Sequence, residues 1–296
     1  MNMKASMEFQ RFFTPVQIPE SPIKTGRLDP VWTVGSCFSD EIGRRMACGG
    51  FTIEVNPLGT LFNPASICRQ LRRVASGKAY TEEDIFFHEG MWHSPDFHSS
   101  FSAPDGAEAL RRMNDTVGRL NSALPRLRRL MLTLGSARVF RSTDTGEIVA
   151  NCHKLPASRF EVEDLTAETI YTDLRDTLEL LRTTATELRV IMTVSPIRHK
   201  AYGLHADKLS KARLLLAVDC LCSEGVAEYF PAYEIMTDEL RDYRFYASDM
   251  IHPSETAADY IYSRFADTYF TPSTIADAAR SSKEHRRSLH RPIGKS

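Results

Sequence analysis

Three short, almost wholly apolar runs constrain this chain more than anything else in it: Val31-Trp32-Thr33-Val34, Arg129-Leu130-Met131-Leu132-Thr133-Leu134 and Arg189-Val190-Ile191-Met192-Thr193-Val194. Each has the length of one strand and falls far short of a membrane span. Each is stopped at once, by Gly35, by Gly135 and by Ser195-Pro196. A strand that is apolar on both faces has to be covered on both faces, as in a parallel sheet held between helices. Phe51–Val55 and Val226–Phe230 read as two further strands. Helical patterns lie between the runs. They cover Asp40–Met46 closing at Gly49-Gly50, Pro64–Arg73 with Asn63 as N-cap, Ala107–Leu124, Asp164–Thr184, Ala206–Cys222 and Ser254–Phe270. Ile85–Ser94, turning at Glu89-Gly90, reads as a hairpin. So do Val139–Arg141 and Glu147–Ala150 around Asp144-Thr145-Gly146. The expectation is an α/β fold: a central parallel sheet with helices on both faces and inserted hairpins. It places one domain at residues 31–272, an N-terminal extension at 1–30 and a basic tail at 273–296. Lys283, Arg286, Arg287, Arg291 and Lys295, with few apolar neighbours, predict that the stretch from Ser281 is mobile.

The composition closes off several function classes. A formal net charge of −1 gives no field for nucleic acid or an anionic membrane. Met1–Phe9 lacks the apolar core of a secretion signal, so the expected location is cytoplasmic. In that setting the cysteines are expected as reduced thiols. No C-x-x-C pair suggests structural zinc, and neither a G-x-x-x-x-G-K nor a G-x-G-x-x-G motif suggests a nucleotide. No cofactor and no metal are expected. His93 and His98 stand five residues apart without an evident third ligand.

The chemistry gathers where strands end. Ser36 follows the first run and Gly35, at the start of a helix, where free N–H groups and the positive helix end favour negative charge. A serine there can attack a carbonyl if a base takes its proton. Asp249-Met250-Ile251-His252 offers an imidazole as base and a carboxylate three residues away to orient it. In a parallel sheet with right-handed crossovers the strand carboxyl ends share one edge, where Ser36, Gly59, Gly135, Ser195 and the Asp249–His252 loop can converge. Cys37 is readable as a thiol activated by the helix start or as a small packed residue. Trp92, His93, Ser94 and His98 form a candidate substrate lid. Arg198-His199-Lys200 offers positive charge on the same rim.

These segments resemble the GSCFA family of the SGNH/GDSL hydrolase superfamily. The resemblance rests on Val34-Gly35-Ser36-Cys37-Phe38, Asn56-Pro57-Leu58-Gly59-Thr60, Trp92-His93-Ser94 with Asp96-Phe97-His98-Ser99, Leu134-Gly135-Ser136, Asn151-Cys152-His153-Lys154, Val194-Ser195-Pro196 and Asp249-Met250-Ile251-His252. It implies a flavodoxin-like three-layer α/β/α sandwich and serine esterase or acyltransferase chemistry on a small-molecule or carbohydrate ester. Ser36 matches the nucleophile, His252 the base and Asp249 its partner. Ser36 and Gly59 match oxyanion N–H donors. Two residues after Gly135, where related enzymes carry asparagine, stands Ala137, which makes Asn151 the candidate for the missing amide. Asn56, Trp92, His93, Ser94, His98, Ser136, His153 and Lys154 are the candidate substrate contacts. Two other readings stay open: an O-acyltransferase to a sugar hydroxyl, and a binding protein that keeps the fold without the activity.

Overall fold

The computed structural model describes residues 14–289. Met1–Phe9 and the last basic residues, Arg291 and Lys295, lie outside the described residues. The three apolar runs become β1 (Val31–Gly35), β5 (Arg129–Leu134) and β9 (Arg189–Val194). With β2 (Ile53–Val55) and β10 (Glu228–Tyr229) they form one parallel sheet in the order β10-β9-β5-β1-β2. Counting only these strands, the order is that of flavodoxin-like folds, 2-1-3-4-5.

Strand alternation divides the core. Trp32, Val34, Leu130, Leu132, Leu134, Val190, Met192 and Val194 face one layer. That layer is α2 (Pro64–Ser76), α3 (Gly106–Ala123), α4 (Ala167–Thr184) and α5 (Leu204–Ser223), which supply Ile67, Met113, Leu174 and Leu214. Val31, Met131 and Ile191 face the other way, onto α1 (Cys37–Cys48) and α6 (Glu255–Tyr269), which supply Phe38, Ile42, Ile261 and Phe265. The predicted three-layer sandwich is therefore the observed one.

The hairpins leave the sheet as an annex. β3 (Phe86–His88) pairs with β4 (Met91–His93) through Glu89 and Gly90, both at positive φ (46° and 78°), as a two-residue primed turn demands. The second hairpin is larger than expected. β6 (Arg138–Ser142) pairs with β7 (Ile148–Val149) and also with β8 (Phe160–Asp164). Asp164, predicted to start a helix, ends this strand, and α4 begins at Ala167 behind the N-cap Thr166.

Both ends of the described chain pack on the domain. Residues from 14 to 30 are an extended strap: Thr25 N–H donates to Tyr269 O (2.7 Å) and Lys24 Nζ to Thr268 O (2.8 Å). The stretch expected as a mobile tail is helical as far as Leu289, in α7 (Pro272–Leu289). Ala278 is buried against the face of α1, and Arg27 donates to Ser281 Oγ. One apolar stripe is enough to dock a helix whose composition is otherwise that of a solvated segment.

Candidate active site

Ser36 stands where β1 ends and α1 begins, beside the crevice between β1 and β5 where the strand order reverses. It caps α1: its Oγ accepts from Phe38 N–H at 3.4 Å. Gly35 makes this turn feasible. Its φ is +140°, and a Cβ there would lie 2.1 Å from Thr133 O. Gly135, at the end of β5, closes the other wall, with Ser36 Cβ 3.3 Å from where a Gly135 Cβ would be. Ser36 is only 1% exposed.

Asp249 and His252 form the expected pair. His252 Nδ1 lies 2.6 Å from Asp249 Oδ2. Asp249 Oδ1 accepts from the N–H groups of Ile251 (2.8 Å) and His252 (3.0 Å). These bonds, the imidazole first, hold the Asp249 carboxyl well below the usual carboxylate range. Met250 at φ +60° folds the loop back so that the carboxylate meets the ring. The loop is tied to the end of β9 by Arg198 N–H to Ile251 O (3.2 Å) and by Lys200 Nζ to Asp249 O (3.1 Å). His252 Nε2 makes no hydrogen bond within the described residues, to Ser36 Oγ or to any other group. A nucleophile–base bond that is long or unmade without substrate is common.

The expected oxyanion donors are otherwise engaged. Ser36 N–H donates to Thr133 O (3.1 Å) and Gly59 N–H to Asn56 O (2.8 Å). Asn151 is in the annex, where its Oδ1 accepts from His153 N–H (2.8 Å) and it lines a cavity of about 450 Å³ with Phe86, Pro95 and Phe160. Asn56 works inside the fold: its Oδ1 accepts from Gly35 N–H (2.9 Å) and its Nδ2 donates to Asp40 Oδ1 (2.8 Å). Ser136 Oγ is shared by Tyr202 OH, Ser210 Oγ and Arg138 N–H.

The other candidate contacts belong to the annex. His93 is buried, with Nδ1 on Ser102 Oγ (2.7 Å) and Nε2 on His88 O (3.2 Å). His153 Nε2 lies on Ser94 O (2.7 Å), and the His93 and His153 rings are 4.4 Å apart. Burial pushes His153 down to about 4. Trp92 packs on Phe87, and Lys154 is exposed. His98 packs on the loop after β2: its Cβ stands 2.7 Å from where a Gly59 Cβ would be. Among the described residues no group of three metal-binding side chains occurs. All six cysteines are free; burial, then Asp40, raises the Cys37 thiol, opposite to activation.

Sequence reasoning missed two groups behind this edge. Lys211 is buried, with Nζ on Gly135 O (2.7 Å) and Ser195 O (2.8 Å), tying β5 to β9 just behind Ser36. His199, seen only as rim charge, packs edge-on to Phe62 (6.0 Å) and stacks on Tyr202 (5.8 Å). The signal for Lys211 is its place on the Asp207, Ser210, Leu214 face of a helix that has to cover the sheet.

The architecture defines a class: a doubly wound α/β protein with a serine at the switch point and an Asp–His pair in a late loop. Within that class the chain belongs to the GSCFA family, whose model it matches over residues 30–265. Among solved structures it is similar to a carbohydrate esterase family 3 protein from Talaromyces cellulolyticus, at 9% identity and TM-score 0.40, covering 86% of this chain and 99% of that one. It is also similar to a carbohydrate esterase family 2 enzyme with a carbohydrate-binding domain from Corynascus thermopiles (Myceliophthora fergusii), at 10% identity and TM-score 0.41, covering 88% and 69%. No curated protein matches the chain.

Proposed function

We propose that this protein is a serine esterase of the SGNH type, acting on a carboxylic ester, with an acylated carbohydrate as the favoured substrate class. The observation that carries the reading is the His252–Asp249 bond of 2.6 Å, which orients an imidazole whose Nε2 has no other partner, in a loop tied to the sheet edge that bears Ser36. An Asp-oriented histidine is what a serine needs in order to react near neutral pH.

His252 Nε2 takes the Ser36 proton as Oγ bonds to the carbonyl carbon. The carbonyl π electrons move to oxygen. Collapse of the tetrahedral intermediate breaks the ester C–O bond, and the His252 proton passes to the departing alcohol. Water then attacks the acyl-enzyme through the same base, releasing the acid and restoring Ser36. Asp249 remains ionised throughout and stabilises the imidazolium. The oxyanion faces the start of α1, where Cys37 N–H has no intrahelical acceptor. Ser36 is buried, so the groups around it have to move for a substrate to reach its Oγ.

A fluorophosphonate probe followed by peptide mapping tests this. Labelling of Ser36 that is lost in His252→Ala supports it. A folded protein that neither labels nor releases acetate from acetylated sugars or p-nitrophenyl acetate overturns it. Faster acetate transfer to an added sugar than to water would redirect the reading to an acyltransferase.

A further inference from the structure

Beside the loop that carries His252 lies a cavity of about 210 Å³, walled by Arg198 beyond β9, by the first turns of α5 and by residues 233–246. Three tyrosines, Tyr233, Tyr243 and Tyr246, and three cations, Arg198, Lys208 and Arg241, line it. Two carboxylates line it as well, and both are engaged elsewhere. Asp207 is buried, its Oδ1 accepts from His199 N–H at 3.2 Å, and its charge acts on Lys211. Asp242 accepts from the N–H and the guanidinium of Arg244, each at 2.9 Å. Among the described residues none of the three cations has a carboxylate within salt-bridge distance. Lys208 and Arg241 are exposed, so an anion can reach them.

The cations and the rings form one surface. The Arg198 guanidinium stands 4.8 Å from the Tyr246 ring centre and 5.8 Å from that of Tyr243. Lys208 Nζ donates to Tyr233 OH at 3.2 Å. Burial raises the Tyr246 hydroxyl, while the charges of Arg198 and Lys208 pull it the other way. The backbone of the far wall is irregular. Ile235–Glu239 is a π-helical turn, with Leu240 N–H donating to Ile235 O at 2.8 Å, and Arg241 holds φ at +32°. Such departures cost free energy and cluster where backbone shapes a site.

The cavity is built onto the support of the candidate base. Arg198 belongs to both: its N–H donates to Ile251 O (3.2 Å) and its guanidinium to Met250 O (3.4 Å). Tyr246 pairs with Pro253, and Ala247 N–H donates to His252 O (2.8 Å). In ester cleavage His252 hands its proton to the departing alcohol, so the alcohol part of the substrate belongs on the side of this loop. Resting on the esterase reading, we propose that the cavity is the subsite for that alcohol, and that the alcohol is a sugar carrying an oxyanion, as a uronic acid or a sugar phosphate does. Arg198, Lys208 and Arg241 take the oxyanion through charge-assisted hydrogen bonds. The tyrosines meet the ring with an apolar face and a polar tip. At about 210 Å³ the space suits one small group, since pockets for drug-sized ligands begin near about 300 Å³.

Calorimetric titration with glucuronate, glucose 6-phosphate and glucose reads the subsite without turnover, in wild type, Ser36→Ala, Lys208→Gln and Arg241→Gln, with a thermal melt of each. One of the two anions is expected to bind at least about tenfold more tightly than glucose, and which one does so names the oxyanion. Loss of one charge-assisted bond weakens that binding about tenfold in Lys208→Gln and in Arg241→Gln, while Ser36→Ala binds as wild type does. Glucose bound as tightly as both anions, no binding of any of the three, or undiminished binding in both cation variants overturns the proposal. Acetate release is then compared between acetylated glucose and the acetylated form of the anion that binds. The ratio of their kcat/KM values is expected to fall about tenfold in each cation variant, and an unchanged ratio overturns the subsite's part in the reaction. Hydrolysis of acetylated glucose by a wild type that binds neither anion overturns this inference alone. A folded wild type that binds the anion yet is inert to ester and fluorophosphonate overturns the esterase reading, and the substrate role of the cavity with it.

Discussion

The sheet edge that bears Ser36 and the hairpin annex are both rich in histidine, serine and carboxylate, and they hold them differently. In the annex His93 spends both ring nitrogens on Ser102 and His88, and His153 is anchored on Ser94 O by one nitrogen, while His153 Nδ1 and His88 Nε2 are sealed in the packing without a partner. At the edge, His252 Nε2 makes no hydrogen bond within the described residues. The backbone explains the difference. The annex is antiparallel and irregular, so buried carbonyls and hydroxyls left over by its turns need side-chain partners. The edge is the end of a regular parallel sheet, whose carbonyls are met by neighbouring strands and by Lys211, which leaves the imidazole of His252 free. Exposure separates the two regions: the free nitrogen of His252 belongs to a half-exposed side chain, whereas those of His88 and His153 are closed in by packing.

The comparison breaks most sharply at Ser36. Ser36→Ala and His252→Ala are expected to lower ester turnover by at least about 10⁴-fold, and Asp249→Asn by a similar factor through loss of the imidazole's orientation. Initial rates on p-nitrophenyl acetate measure this, with circular dichroism confirming an unchanged fold. Wild-type rates in Ser36→Ala would move the chemistry elsewhere. Lys211→Met comes next. It leaves the carbonyls of Gly135 and Ser195 without their donor inside the protein, at an expected loss of about 3 kcal/mol in urea unfolding. In the annex, His93→Ala should cost about 2 kcal/mol of stability, from its two lost bonds, while kcat stays within about threefold of wild type. A large fall in kcat without a fall in stability would put the annex into the reaction.

What could be read beforehand follows the same division. The central strands were legible because burial on both faces writes a continuous apolar run. The place of Ser36 at a strand end and the pairing of Asp249 with His252 were legible because each is a local motif. β8 was not: Phe160-Glu161-Val162-Glu163-Asp164 is an edge strand exposed at its centre, held by pairing to β6 rather than by an apolar face. The helix beyond Ser281 was hidden by its charge, since its docking rests on little more than Ile275 and Ala278. The duty of Lys211 could not be seen in a list of residues, because Gly135 is 76 positions away. The burial of the His199 ring is a fact of packing alone.

Acid sharpens the comparison by the smallest expected amount. His153 in the annex and His199 at the edge are both held at about 4 by burial, against an ordinary value near 6.5. Between those limits the unfolded chain binds protons that the folded protein refuses, so stability rises with pH across the window and is lost as pH falls from about 6.5 towards 4. Each ring is expected to account for about 1 kcal/mol between pH 7 and pH 5, after allowing for the water that still reaches it. Urea midpoints at the two pH values measure the sum, and His153→Phe and His199→Gln each remove one share. If the two shares are equal, both imidazoles are excluded from protonation by packing of the same kind. A smaller share for His199 would mean that its ring is already reached by water, leaving the annex as the drier of the two regions.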